Sequence, residues 1–180
     1  LSNIERALHA GTPIVVGTTG WYDQQEEVYK QVKEFNGTFL AASNFSVGVN
    51  IFFEVNRRLA ELMANQESYT ATIEEIHHTE KLDSPSGTAI TLADGIIEQI
   101  GTYYSWENNS SDKNDVLEII SHREPNVPGT HEITYDSDID QISIKHEAKN
   151  RKGFALGAVL AAEFIQTKKG IFTMQDVLKN

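Results

Sequence analysis

The run Glu75-Ile76-His77-His78-Thr79-Glu80-Lys81-Leu82-Asp83-Ser84-Pro85-Ser86-Gly87-Thr88-Ala89 constrains this chain more than any other stretch. Tyr69 to Ile76, just before its histidines, is rich in β-branched and aromatic residues and reads as a strand. After it, Leu92, Ala93, Ile96, Ile97 and Ile100 recur at helical spacing from Ala89 onward, with Gly101 as a stop. Two imidazoles and an amine therefore stand where a strand ends, and Ser86-Gly87-Thr88 opens a helix. The first N–H groups of a helix lack internal acceptors and carry partial positive charge. Gly87 lets a ligand approach that backbone, and the hydroxyls of Ser86 and Thr88 add donors. The combination suits a small anion, most naturally a carboxylate.

The strand–loop–helix sits in a chain of 180 residues without cysteine, which excludes disulfides, thiolate metal sites and thiol nucleophiles. A net charge of −11 argues against nucleic acid, whose phosphates need a basic face. It also means that an anionic substrate must be drawn in by local charge. No apolar run is long enough for a membrane span.

Ahead of this stretch, Asn3 to His9 has a short helical pattern and Ile14 to Val16 is a fully apolar strand followed by Gly17-Thr18-Thr19-Gly20. Asp23 is placed to cap a helix running through Phe35, and Thr38 to Ala41 is a second apolar strand. Strand, helix and strand form the unit of a doubly wound sheet, where ligands lie beyond the strand C-termini. Val49 to Ala64 is a long amphipathic helix. Tyr103 to Asp115 reads as a polar surface excursion. Val116 to His122, Pro128 to Tyr135 and Gln141 to Ala148 join the Tyr69 strand in a four-stranded α+β sheet. Phe154 to Ile165 is an Ala-rich helix, and Gly170 to Leu178 is a capped terminal turn.

For chemistry the pair to watch is His77 and Lys81. An ammonium beside an imidazole disfavours a second positive charge, leaving one strong donor and one group able to pass a proton near neutral pH. Zinc is not expected at His77, His78, His131 or His146. Adjacent strand residues point to opposite faces, and no acidic partner completes a ligand spacing. His131 and His146 are expected at a sheet surface or subunit contact.

The central run reads E-x-H-H-x-x-K-x-D-x-P-S-G-T-A and closely resembles the signature of the dihydrodipicolinate reductase (4-hydroxy-tetrahydrodipicolinate reductase) family of lysine and diaminopimelate biosynthesis. Gly17-Thr18-Thr19-Gly20, the segment Asn44-Phe45-Ser46-Val47-Gly48-Val49-Asn50, Val127 to Ile133 and Gly170 to Leu178 extend the likeness over nearly the whole chain. The resemblance implies a cytoplasmic NADH- or NADPH-dependent oxidoreductase, assembled as a homotetramer, that acts on a small cyclic dicarboxylate. It implies a Rossmann-type dinucleotide domain, partial here, formed by residues 1–46 and 151–180, and a substrate-binding and oligomerisation domain formed by 47–150. It assigns proton donation to His77 and Lys81, and substrate contact to His78, Lys81, Ser86, Gly87 and Thr88. Cofactor contact goes to Gly17, Thr18, Thr19, Ala42, Ser43, Asn44 and Phe45, and no residue is assigned to metal. The family's G-x-x-G-x-x-G phosphate loop is not in this sequence, so an N-terminally truncated reductase is expected. The alternative is a non-catalytic dicarboxylate-binding or sensor protein.

Overall fold

A computed structural model describes residues 1–18 and 20–179. Thr19, among the expected cofactor contacts, lies outside the described residues. The chain divides into two compact units, Leu1–Asn50 with Lys152–Asn180, and Ile51–Arg151.

The first unit contains helix α1 (Ser2–His9), strand β1 (Ile14–Val16), a 3-10 turn (Tyr22–Gln24), helix α2 (Gln25–Glu34) and strand β2 (Thr38–Ala41). The start of helix α3 (Val47–Met63) follows. After the second unit the chain returns as α5 (Lys152–Ile165), β8 (Gly170–Phe172) and α6 (Met174–Leu178). Its sheet is parallel, in the order β1-β2-β8. Phe39 and Leu40, neighbours on β2, are both fully buried. They point to opposite faces. Phe39 packs with Ile4, Leu8, Val28 and Val32 of α1 and α2, and Leu40 with Ala161, Ile165 and Met174 of α5 and α6. A sheet covered on both faces is why the adjacent residues Phe39 and Leu40 are both apolar.

Two expectations for this unit change. Asp23 does not cap a helix: it lies in the 3-10 turn, and α2 starts at Gln25 with no side-chain cap. The turn is anchored instead by Trp21, buried edge-on against Phe39 with its indole N–H donating to Thr18 O at 2.7 Å. Gly170 to Leu178 is not one capped turn. Its first three residues form β8, in register with β2, and a Thr173/Asp176 capping box then starts α6. Pairing with a strand some 130 residues away leaves no local signal in a three-residue run.

The second unit contains the rest of α3, then β3 (Thr70–His77), α4 (Gly87–Ile97), β4 (Ser105–Glu107), β5 (Val116–Arg123), β6 (Thr130–Asp136) and β7 (Gln141–Glu147). Its sheet has five strands, β4-β5-β3-β6-β7, rather than four. The added strand falls inside the supposed polar excursion, where Trp106 pairs in register with Leu117 and packs against the core. β3 and β5 are parallel, and β6 and β7 extend the other side antiparallel. Phe52, Ala60, Leu92, Ala93 and Ile96 of α3 and α4 cover one face, against Ile73, Ile119 and Ile133. Alternation along β3 sends Ala71, Ile73, Glu75 and His77 to that covered face, all buried. The row is apolar at first and ends in a carboxylate and an imidazole.

Candidate active site

Glu75 is the centre of the site. Its side chain is fully buried. Ser86 N–H donates to both carboxylate oxygens at 3.1 and 3.2 Å, and Ser121 Oγ donates to Oε1 at 2.8 Å. His77 Nδ1 and His131 Nε2 each lie 3.5 Å from Oε2, and Arg123 Nη1 lies 3.5 Å from Oε1. Sheet register creates the arrangement. Glu75 is flanked by Ser121 on β5 and His131 on β6, and His77 is opposite Arg123. Burial alone pushes the Glu75 carboxyl up. Donors from His131, Ser86 and Ser121, with His77 nearby, more than reverse this and hold it far below the ordinary carboxylate range.

His77 is 7% exposed, and its ring meets that of His131 edge-on at 5.0 Å. Burial drives it down to about 4; Glu75 opposes the shift, while His131, Lys81 and Arg123 reinforce it. The folded protein therefore holds a neutral His77 at pH 7. Gly129 makes room for the ring. A Cβ there would sit 3.1 Å from Nε2 and 3.3 Å from Cδ2, and its φ of +154° suits glycine.

His78 turns away from His77, as alternation requires, and its Nε2 meets Arg151 Nη2 at 2.9 Å. Arg has no acceptor, so His78 accepts there. Lys81 Nζ holds both oxygens of Asp83 at 2.8 Å, which lowers the Asp83 carboxyl. An exposed pair of this kind is worth only about 0–1 kcal/mol, so exchange for another carboxylate is cheap. Arg123 Nη2 also donates to Asp83 O at 2.7 Å, tying this loop to β5.

Ser86 is the N-cap of α4: its Oγ accepts from Ala89 N–H at 3.1 Å and meets His131 Nε2 at 3.1 Å. The residue is buried, and both its N–H and its hydroxyl serve the interior. The outward elements of this helix start are the exposed Gly87 and half-buried Thr88, in the first turn of the helix. In this unit, then, His77 and Ser86 converge on Glu75, Lys81 stands within electrostatic range of His77, and His78 is directed to Arg151.

Two sequence expectations need correction. His131 is not a surface residue; it is 4% exposed and part of the cluster. The histidines do have an acidic partner, since Glu75, His77 and His131 present ligand-type atoms within 4.8 Å of one another. Those acceptors already serve Ser86 and Ser121 beside a guanidinium, which makes the group a hydrogen-bonded anchor. Phe45, one of the expected cofactor contacts, is 8% exposed and belongs to the core cluster of the first unit from the loop after β2. Sequence reasoning also passed over Glu75, Ser121, Arg123, Gly129 and Arg151. Only Glu75 had a readable signal, two positions before His77 on the same strand face. A cavity of 520 Å³ lined by Met63, Tyr69, Tyr103 and Tyr135 opens at the other end of β3 and includes none of the expected site residues.

In the first unit, β1 and β2 run parallel with Val16 beside Ala41, so Gly17-Thr18 and Ala42 to Phe45 leave the sheet at the same edge. Gly17, Thr18 and Ser43 are exposed, Ala42 and Asn44 half-buried, and Asn44 Oδ1 accepts from Ser46 N–H at 2.9 Å.

Residues 48–178 match the family described as dihydrodipicolinate reductase, C-terminus. Over 178 residues the chain is 52% identical to the 4-hydroxy-tetrahydrodipicolinate reductase of Christiangramia forsetii, covering 99% of this chain and 74% of that protein. It is 35% identical to the Methanopyrus kandleri protein of the same name, covering 99% of this chain and 66% of that one. A solved dipicolinate-bound dihydrodipicolinate reductase from Paenisporosarcina sp. TG-14 superposes with a TM-score of 0.72 at 22% identity, over 96% of this chain and 66% of that one. That likeness is one of fold, an α/β architecture with a mixed sheet. The chain thus belongs to the dihydrodipicolinate reductase family, oxidoreductases of lysine biosynthesis whose similar members carry the name 4-hydroxy-tetrahydrodipicolinate reductase.

Proposed function

We propose that this chain performs the family reaction, reduction of 4-hydroxy-tetrahydrodipicolinate or its dehydrated form to tetrahydrodipicolinate with NADH or NADPH. The observation that carries the reading is a neutral, buried His77 held next to the start of α4 by one carboxylate. The N–H groups of Gly87 and Thr88, with Lys81 and the His78–Arg151 pair, hold the two substrate carboxylates. A doubly negative substrate raises the proton affinity of His77, so the ring is charged only once substrate is in place. When bound, the nicotinamide supplies the hydride to one carbon of the ring double bond. The 4-hydroxy form first loses its hydroxyl, with a proton from the neighbouring carbon, as water, which creates that double bond. His77 or Lys81 then protonates the carbon beside the one that takes the hydride, so hydride and proton together complete the two-electron reduction.

Gly17, Thr18, Ala42, Ser43 and Asn44 fit the nicotinamide side of a Rossmann-type domain. They lie where parallel strands end, and Gly17 presents no side chain. Phe45 contributes by supporting that loop from the core. The five-stranded unit is the substrate-binding and oligomerisation domain, its uncovered sheet face serving a cytoplasmic homotetramer. Relatives named as reductases do not favour a non-catalytic dicarboxylate binder. In the enzyme, His77→Gln or Lys81→Ala is expected to lower turnover by about 10²- to 10⁴-fold with the circular dichroism spectrum kept. Near-parental rates in both refute the proton-donor roles. A crystal soaked with pyridine-2,6-dicarboxylate is expected to place a carboxylate on the Gly87 and Thr88 amides, and density elsewhere refutes the anion site.

A further inference from the structure

We propose that Glu75 is the positioning residue of this site: one buried carboxylate sets the ring of His77 and the first turn of α4 together, so that proton donor and anion-holding amides keep a fixed spacing. The inference rests on the proton-donor reading of His77 given above.

The carboxylate is well chosen for this work. Ser86 N–H, Ser121 Oγ, His77 Nδ1, His131 Nε2 and the Arg123 guanidinium approach it from four elements, and each can present a donor. His77 Nδ1 is buried and makes no hydrogen bond elsewhere among the described residues. An ionised carboxylate only accepts: it takes hydrogen bonds from Ser86 N–H and Ser121 Oγ and stands 3.5 Å from His77 Nδ1, His131 Nε2 and Arg123 Nη1. Its contact with Ser86 N–H fixes where α4 begins, and hence where the Gly87 and Thr88 amides lie. Its second oxygen faces His77 Nδ1, so the proton of the neutral ring belongs on Nδ1. Nε2, on the Gly129 side, is left to receive and return a proton. Arg123 balances the buried negative charge while its other arm holds the Asp83 carbonyl, which bonds the His78–Ser86 loop to the same anchor.

Glutamine has the same shape, but one of its two ends is a donor. In Glu75→Gln the oxygen keeps Ser86 and Ser121, and the NH₂ group is turned to His77 Nδ1. The ring must then accept at Nδ1 and carry its proton on Nε2. A carboxylate needed only for packing or folding has no such effect on the ring.

The test is long-range ¹H–¹⁵N NMR of the histidine side chains in the labelled chain, with calorimetric titration of pyridine-2,6-dicarboxylate and turnover against pH. Parental His77 is expected protonated on Nδ1 and the Glu75→Gln ring on Nε2. Turnover should fall about a hundredfold, the scale of an ångström misplacement. Its basic limb should move to lower pH, because the ring has lost the neighbouring negative charge. Dicarboxylate affinity should drop, because Ser86 N–H donates to both carboxylate oxygens in the parent and keeps only one acceptor in Glu75→Gln, which loosens the start of α4. A parental His77 protonated on Nε2 overturns the proposal, and does so even if Glu75→Gln fails to fold. So does a folded Glu75→Gln with unchanged tautomer and pH profile. Failure of the underlying reading looks different: normal turnover in His77→Gln, whatever the tautomer.

Discussion

Burying a neutral histidine links the stability of the second unit to pH. As pH falls through about 6.5 the unfolded chain takes up a proton at His77, whereas the folded chain resists until about 4. Stability is therefore lost across that window and levels off below it. At about 1.4 kcal/mol for each tenfold change in proton affinity, the loss at pH 4 is roughly 3 kcal/mol. Groups facing the ring are Glu75, His131, Lys81 and Arg123. Glu75 acts separately: its folded carboxyl lies below the unfolded value of 4.5, so its contribution is present above that pH and lost as pH falls further. His146, also lowered by burial, works in the same direction as His77. The comparison that isolates His77 is urea unfolding of the parent and His77→Gln at pH 7.5 and 4. Placing both in a Trp21→Phe background makes Trp106 the reporter of the unit that holds the site. With a slope of about 1.5 kcal/mol per molar urea, the parental midpoint should fall about 2 M more than that of the variant. Equal losses in the two proteins refute the claim that the folded state holds this ring neutral.

Two substitutions test close approaches. Gly129→Ala puts a Cβ 3.1 Å from His77 Nε2 on a backbone with φ +154°, and is expected to lower kcat about tenfold or more while dicarboxylate affinity measured by calorimetry stays near parental. Parental kcat would show that the ring is not confined from this side. Gly157→Ala puts a Cβ 1.7 Å from the Phe45 carbonyl oxygen, so α5 must lift from the loop after β2. A loss of about 3 kcal/mol or more is expected in the first unit, followed at Trp21, and an unchanged unfolding midpoint there argues against so close a packing.

Much of this molecule was legible in one dimension because its signals are local. A run rich in β-branched and aromatic residues placed β3, and helical spacing opened by Ser86-Gly87-Thr88 placed α4. The loop between them carried His77, His78, Lys81 and Ser86 within ten residues. Strand alternation put the two histidines on opposite faces; the structure then showed His77 in the core row and His78 against Arg151. Apolar β1 and β2 announced a sheet covered on both faces. The short strands β4 and β8 were missed because three residues have no period of their own, and pairing alone makes them strands.

The residues in order already carried the chemistry at hand: imidazole, amine and a helix start, in a motif long enough to reveal a family. How those groups are held came from folding alone. Ser121, Arg123 and His131 are 46, 48 and 56 positions from Glu75 and His77's strand in ways no spacing rule predicts, and sheet register alone brings them to one carboxylate. Burial then turned the expected donor histidine into a neutral one, because the cost of a charge depends on what surrounds it in space, and neighbours in space are not neighbours in sequence.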